Sequence, residues 1–397
     1  MADDPGARSG AAGSGSAGRA VHPRVALVLT GGGARGAYQV GVLRGLGRLF
    51  PEARFRLITG VSAGAINAIY LALRPEALGE ASRRLGEIWR HIEIDRVVKA
   101  DWSWLTSNFF RWGAQLGLGG LSTDARALLD ASPLEETLRG FLCDPDGRIG
   151  GIRRNLELDR LDAVAVATVN YTTGQTVHWV QGRDIRPWRA ANRLARQTEI
   201  ELRHVMASSA LPLIFPAVEL DDGWYGDGGI RLAAPLSPAL HLGAERLLAV
   251  STRYLPSDAE SAAPTFTGYP SPAQIGGHLM NAIFLDVLDQ DVARLERINT
   301  LLEPLAEEDR GGLRPIQLEV VRPSADLGAM ASDFVPRLPK GLRFLSAGIN
   351  GEESKSPDFL SLLMFQSDYV IRLIELGEKD VEDRRDQLER LLFAPDP

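Results

Sequence analysis

A short apolar strand, a glycine-rich turn and a helix follow one another twice near the start of this chain, and that repetition constrains the fold most. Val25 to Thr30 (VALVLT) is a continuous apolar run, the pattern of a strand covered on both faces. Gly31-Gly32-Gly33-Ala34-Arg35-Gly36 comes directly after it and leads into AYQVGVLRGLGRLF, which is apolar at helical spacing. Arg54 to Gly60 (RFRLITG) reads as a second strand, and AGAINAIYLAL behind it as a second helix. Two such units within about 50 residues predict a doubly wound α/β sheet.

The rest of the chain extends that pattern. Residues 75 to 160 read as mostly helical, with Ser132-Pro133-Leu134-Glu135 as a capping box carrying proline at the first helical position. LDAVAVATVNY and QTVHWV, joined by Thr172-Thr173-Gly174, predict a hairpin. A helix is expected from Glu201 to Ala210, a hairpin turn at Asp222-Gly223, and a strand over Arg246 to Thr252. The stretch 255 to 272 holds four prolines and marks a boundary or an exposed loop. Beyond it come a helical pattern over 273 to 305, a strand candidate in IQLEVVRP, and a last amphipathic helix over 365 to 392. The expected organisation is a Gly/Ala/Ser-rich tail over 1–23, an α/β domain over 24–255, and a mainly helical region over 256–397 that packs on it or continues it.

Composition narrows the function classes. The chain has 397 residues, 45% hydrophobic and 24% charged, as in an ordinary globular protein. Its net charge of -7 argues against nucleic acid as a partner, because phosphate contacts need clustered Lys and Arg. A single cysteine, Cys143, excludes a disulfide framework and a cysteine-based zinc site. No segment reaches the 18 or so apolar residues of a transmembrane helix, and the N-terminal stretch has no apolar h-region. The expected location is cytoplasmic, with peripheral membrane contact left open.

Three elements carry chemistry. The 31–36 loop matches G-x-G-x-x-G, which raises a dinucleotide-binding reading. That reading wants an acidic residue at the end of the second strand, where Ile58-Thr59-Gly60 stands instead. The other use of such a loop is an oxyanion hole, with successive amides of Gly31 to Gly36 turned toward one point. Gly60-Val61-Ser62-Ala63-Gly64 is a G-x-S-x-G between a strand and a helix, the context of a nucleophile elbow. Serine is also a favoured helix cap, so the pentapeptide alone decides little. Asp227-Gly228-Gly229 follows the strand-like VELDDGWYG. A serine nucleophile needs a base, and none of the six histidines, His22, His91, His178, His204, His241 and His278, stands in a strongly catalytic context. A buried carboxylate with a raised pKa can serve in its place, although an aspartate before glycine is also common in turns.

Taken together, the glycine loop, the serine elbow and Asp227-Gly228-Gly229 resemble the patatin-like phospholipase family. Ala207-Ser208-Ser209-Ala210-Leu211-Pro212 with Phe215-Pro216 resembles the family's approach to its aspartate, so the likeness runs over roughly residues 25 to 240. The C-terminal third, with LLMFQSDYVIRLIELGEKD, is similar to tails of bacterial members. The resemblance implies a three-layer α/β/α sandwich and a Ser62–Asp227 dyad without histidine. It implies an oxyanion hole over Gly31 to Gly36, chiefly Gly32, Gly33 and Ala34, with Gly60, Gly64, Gly228 and Gly229 as supports. It implies a lipid or phospholipid substrate, attack on acyl esters, and no metal or cofactor. Arg35 would support the loop or meet a lipid phosphate. Acyl transfer on the same dyad, or lipid binding without catalysis, are the alternatives.

Two weaker signals bear on the lipid. Trp102, Trp104, Phe109, Phe110 and Trp112 fall within eleven residues and would dock at a lipid interface, line an acyl pocket, or pack a helix pair. Arg186, Arg189, Arg193 and Arg196, spaced three, four and three apart, would form one stripe on a helix, facing headgroups or paired with acids such as Glu199 and Glu201.

Overall fold

The computed structural model describes residues 24–99, 127, 129–261, 287–338 and 358–395. The aromatic run from Trp102 to Trp112, His22, His278, the tail over 1–23 and residues 273–286 of the expected helix over 273–305 lie outside the described residues; the rest of that helix is present over Val287–Leu302.

In chain order the main elements are β1 (Val25–Leu29), α1 (Gly36–Leu49), β2 (Leu57–Val61), α2 (Ala63–Leu73), α3 (Leu78–Arg90), α4 (Ser132–Leu142), α5 (Gly150–Glu157), β3 (Ala163–Asn170) and β4 (Thr176–Gly182). They continue with β5 (Arg189–Ala190), β6 (Arg193–Gln197), α6 (Leu202–Ser208), β7 (Val218–Leu220), β8 (Gly223–Asp227), α7 (Ser237–His241) and β9 (Arg246–Val250). The last are α8 (Val287–Leu302), β10 (Gln317–Val321), α9 (Leu327–Ser332), α10 (Asp358–Leu362), α11 (Ser367–Glu382) and α12 (Arg385–Phe393).

The sheet runs β10-β9-β1-β2-β3-β4-β6-β5, parallel from β10 to β3. Alternate residues of a strand face opposite sides, and β1 shows the consequence. Val25, Leu27 and Leu29 join the core formed with α1, α2, α3 and α11, whereas Ala26 and Val28 join the one beneath α7 and α8. The result is three layers, helix, sheet and helix. The chain leaves β1 toward β2 and β3 on one side and returns through β9 and β10 on the other. The carboxyl end of β1 is therefore a topological switch point, the usual place for a site in such a sheet.

β8 fixes the geometry that matters. One edge of β3 pairs with β4 from Ala163 to Val169. The other edge pairs with β2 from Ala163 to Ala167, where β2 ends. β8 takes up that same edge at Thr168, opposite Asp227, and runs antiparallel to Asn170. The ends of β2 and β8 thus meet head to head along β3.

Several local expectations shift. The arginine run is not helical: Arg189 lies in β5, and Arg193 and Arg196 lie in β6, which pairs with β4. On a strand, residues three apart face opposite sides, so no stripe forms. Arg196 pairs with Asp222 at 2.5 Å and lies over the Trp179 ring, while Glu199 pairs with Arg153 and Glu201 with Arg203. Ser132 is the first residue inside α4 rather than its cap. Its N–H donates to the Asp130 carboxylate at 2.9 Å, and the cap residue, Ala131, makes no side-chain bond to the helix amides, so no capping box forms. The hairpin between β7 and β8 turns at Asp221-Asp222, one residue earlier than expected, because Leu220 pairs with Gly223. The expected last helix divides into α11 and α12, where Arg384 turns to donate to the Val320 carbonyl of β10. The C-terminal region also supplies a strand, β10, to the edge of the sheet.

Candidate active site

Ser62 sits between β2 and α2 with φ 55° and ψ −130°, a left-handed conformation that few non-glycine residues adopt. Strain of this kind persists only where the surroundings hold it. Here the Ser62 N–H donates to Ser208 Oγ at 3.0 Å, and the Ser62 carbonyl accepts the first turn of α2 from Ala65 at 2.9 Å. Gly60 and Gly64 stand on either side because the backbones touch: a β-carbon on Gly64 would lie 2.4 Å from the carbonyl oxygens of Leu29 and Thr30. The elbow places Ser62 at the N-terminus of α2, where the helix favours negative charge.

Asp227 ends β8 and is fully buried. Its Oδ1 accepts the Gly229 N–H at 2.8 Å. Its Oδ2 is buried without a hydrogen bond of standard geometry, although the Ser62 hydroxyl is close enough to act on the carboxylate. Burial pushes the Asp227 pKa up to about 7, against the smaller lowering effects of Ser62 and of the Gly229 amide. The neighbouring Tyr171 hydroxyl is itself pushed up to about 12 by burial and by the Asp227 charge. Gly228 packs directly on β3: a β-carbon there would stand 2.5 Å from the Ala167 carbonyl.

The loop after β1 completes the site. Gly33 to Arg35 form a short 3-10 turn ahead of α1. Among the described residues, the N–H groups of Gly32, Gly33 and Ala34 have no acceptor, while the Arg35 amide closes the turn on the Gly32 carbonyl. Gly31 is pinned from the other side, its carbonyl accepting from Thr252 Oγ1 at 2.7 Å. A β-carbon on Gly31 would contact the Ser62 β-carbon at 3.2 Å, so the loop and the serine adjoin. The Arg35 side chain is buried and donates to Ser361 Oγ at 2.6 Å.

No histidine among the described residues bonds to Ser62 or Asp227. Burial brings His178 down to about 3 and His204 to about 4; His178 stacks on Trp188, and His204 packs at a tilt against Trp179. Ser62 opens instead onto a slot walled by Ile66, Trp89, Leu138, Leu211, Phe215 and Phe365. The residues that sequence reasoning passed over are Ser208, Thr252 and this slot. Ser208 lay in an expected helix and in a segment of family likeness, and Thr252 at the end of an expected strand; neither carried a signal for the site.

The family model for patatin-like phospholipases matches residues 27–240, which hold the glycine loop, the elbow and Asp227. The chain belongs to the patatin-like phospholipase family. Calcium-independent phospholipase A2-gamma of Rattus norvegicus is 27% identical to this patatin-like chain over 222 residues, 54% of the chain and 25% of the relative. The protein of the same name from Mus musculus matches to the same extent. The match spans about a quarter of the length of these relatives. Among solved structures, human GIVD cytosolic phospholipase A2 in complex with methyl gamma-linolenyl fluorophosphonate is 14% identical, with a TM-score of 0.46 over 93% of this patatin-like chain and 59% of that one. VipD from Legionella pneumophila is 13% identical, with a TM-score of 0.32 over 89% and 67%.

Proposed function

We propose that this patatin-like protein hydrolyses acyl esters of lipids through an acyl-enzyme on Ser62, with Asp227 as base. The observation that carries the reading is the head-to-head meeting of β2 and β8, which brings an elbow serine against a buried carboxylate beside unpartnered loop amides. In its ionised form Asp227 takes the hydroxyl proton as Ser62 Oγ attacks the ester carbonyl. The oxyanion forms against the amides of Gly32, Gly33 and Ala34, and each such donor is worth about 10² to 10³ in rate. As the tetrahedral adduct collapses, the carboxyl returns its proton to the departing alcohol oxygen. Water, deprotonated by Asp227, then attacks the acyl-enzyme, and the carboxyl passes that proton to Ser62 Oγ as the fatty acid leaves.

The apolar slot, about 40 Å³, suits the acyl-chain carbons next to the ester. A wider cleft of about 760 Å³ shares Leu134, Ser209 and Phe215 with it and gives room for the rest of the lipid. Peripheral membrane contact is part of the same reading. It is supported by Leu213, which is 62% exposed at φ 67° between the slot residues Leu211 and Phe215. No helix among the described residues is long and apolar enough to cross a membrane.

A lipid-class activity screen tests the proposal. Ser62→Ala and Asp227→Asn should each abolish turnover of the substrate class found, and a fluorophosphonate should label the parent but not Ser62→Ala. Parental turnover in either variant removes the dyad.

A further inference from the structure

The slot beside Ser62 is not built by the family-matched residues alone. Leu362, Leu363 and Phe365 line it too, from a segment that lies well beyond residue 240. That segment is fastened at both ends. Ser361 is fully buried and accepts from Arg35 Nε at 2.6 Å, and Ser367 Oγ donates to the Arg90 carbonyl at 2.9 Å. Between them, the Leu362 carbonyl lies against the glycine loop, where a β-carbon on Gly33 would come within 2.1 Å of its oxygen. Phe365 stacks on Trp89 with ring centroids 6.4 Å apart and planes 24° apart, and Trp89 is itself fixed by donating to Asn67 Oδ1 at 2.9 Å.

Among the described lining residues, the polar side chains are the hydroxyls of Ser62 and Ser209. An aliphatic chain fits such a wall and a charged group does not. We infer that residues 362–365 form an acyl-chain gauge, in which Phe365 sets the length of chain that the slot accepts. The inference rests on the acyl-hydrolase reading for its substrate. The Arg35–Ser361 contact keeps this gauge in register with the loop amides, so a chain that fits the wall presents its carbonyl to Ser62. Trp89 lies deep in the core, whereas Phe365 is half-buried and can change size at less cost to the fold.

Two substitutions of opposite size at one position test the gauge. The full chain carrying Phe365→Leu or Phe365→Trp would be assayed on p-nitrophenyl esters from butyrate to palmitate, with circular dichroism confirming the fold. The ratio of kcat/KM for palmitate over butyrate should rise about tenfold in Phe365→Leu and fall by a like factor in Phe365→Trp, the scale on which a methylene's fit is felt. Folded variants that both keep the parental ratio overturn the inference. Titration with a fluorescent long-chain fatty acid reads the slot without turnover. If the parent shows no Ser62-dependent hydrolysis, the acyl-hydrolase reading fails, while opposite shifts in fatty-acid affinity still support the gauge. Equal affinity in all three proteins removes it.

Discussion

The Ser62 amide rests on the Ser208 hydroxyl. Ser208 Oγ accepts that N–H at 3.0 Å and donates its own proton to the Ala167 carbonyl at 2.7 Å. One hydroxyl thus ties the elbow to the last β3 residue that pairs with β2, one position before Thr168, the partner of Asp227. The strained backbone of Ser62 is thereby anchored to the β3 residue next to the partner of Asp227.

Ser208→Ala tests that anchor. The site is fully buried, so the substitution leaves the Ser62 N–H without an acceptor and costs about 1–3 kcal/mol of stability. Displacing the nucleophile should lower kcat about 10²-fold and leave KM nearly unchanged. Urea unfolding and steady-state kinetics measure the two effects, and a parental kcat would show that the elbow holds its shape alone.

Asp227 predicts the pH profile. Its pKa is raised by burial to about 7, and the base must be ionised to act. The rate kcat/KM should therefore fall about tenfold per pH unit below neutrality and level off above it. A profile with its acid limb near the ordinary aspartate range would contradict the burial effect.

The same shift makes the site a cost to the fold. With a folded pKa near 7 against an ordinary aspartate value of 3.8, the native state holds a proton that the unfolded chain has already lost. The stability from this group is full below about pH 4 and is lost as pH rises toward 7. Asp227→Asn removes the buried charge. At pH 8 it should be more stable than the parent by up to about 4 kcal/mol, and at pH 4 the two should be close. Thermal melts at the two pH values give the comparison.

Gly33→Ala tests the loop against the C-terminal segment. Gly33 has φ 54°, and an added β-carbon would lie 2.1 Å from the Leu362 oxygen. Either the loop or the segment must move, so ester turnover should drop about 10² to 10³-fold, as when an oxyanion donor is lost. Full activity in this variant would place the oxyanion elsewhere.

Tyr38→Phe tests how the C-terminal region is joined. The buried Tyr38 hydroxyl donates to Asp380 Oδ2 at 2.8 Å, linking α1 to α11. Its loss should cost about 1.5–3 kcal/mol, as for a bond to a charged group. The variant should still unfold in one transition, with KM unchanged. A separate early transition would show that the C-terminal helices melt on their own.

The sequence by itself determined the two strand–turn–helix units, the elbow and the β3–β4 hairpin. Each is written within a few residues: apolar runs for strands covered on both faces, and glycine where backbones turn or touch. Local pattern also misled, because the spacing of Arg186, Arg189, Arg193 and Arg196 suits a helix, while pairing with β4 makes β6 a strand. The tertiary structure alone decided that β8 continues the edge of β3 where β2 stops, which brings residues 62 and 227 together. It alone decided that Arg35 meets Ser361 across 326 positions of chain. Contacts of that separation depend on strand register and on how layers stack, and neither is encoded in the few residues around each partner.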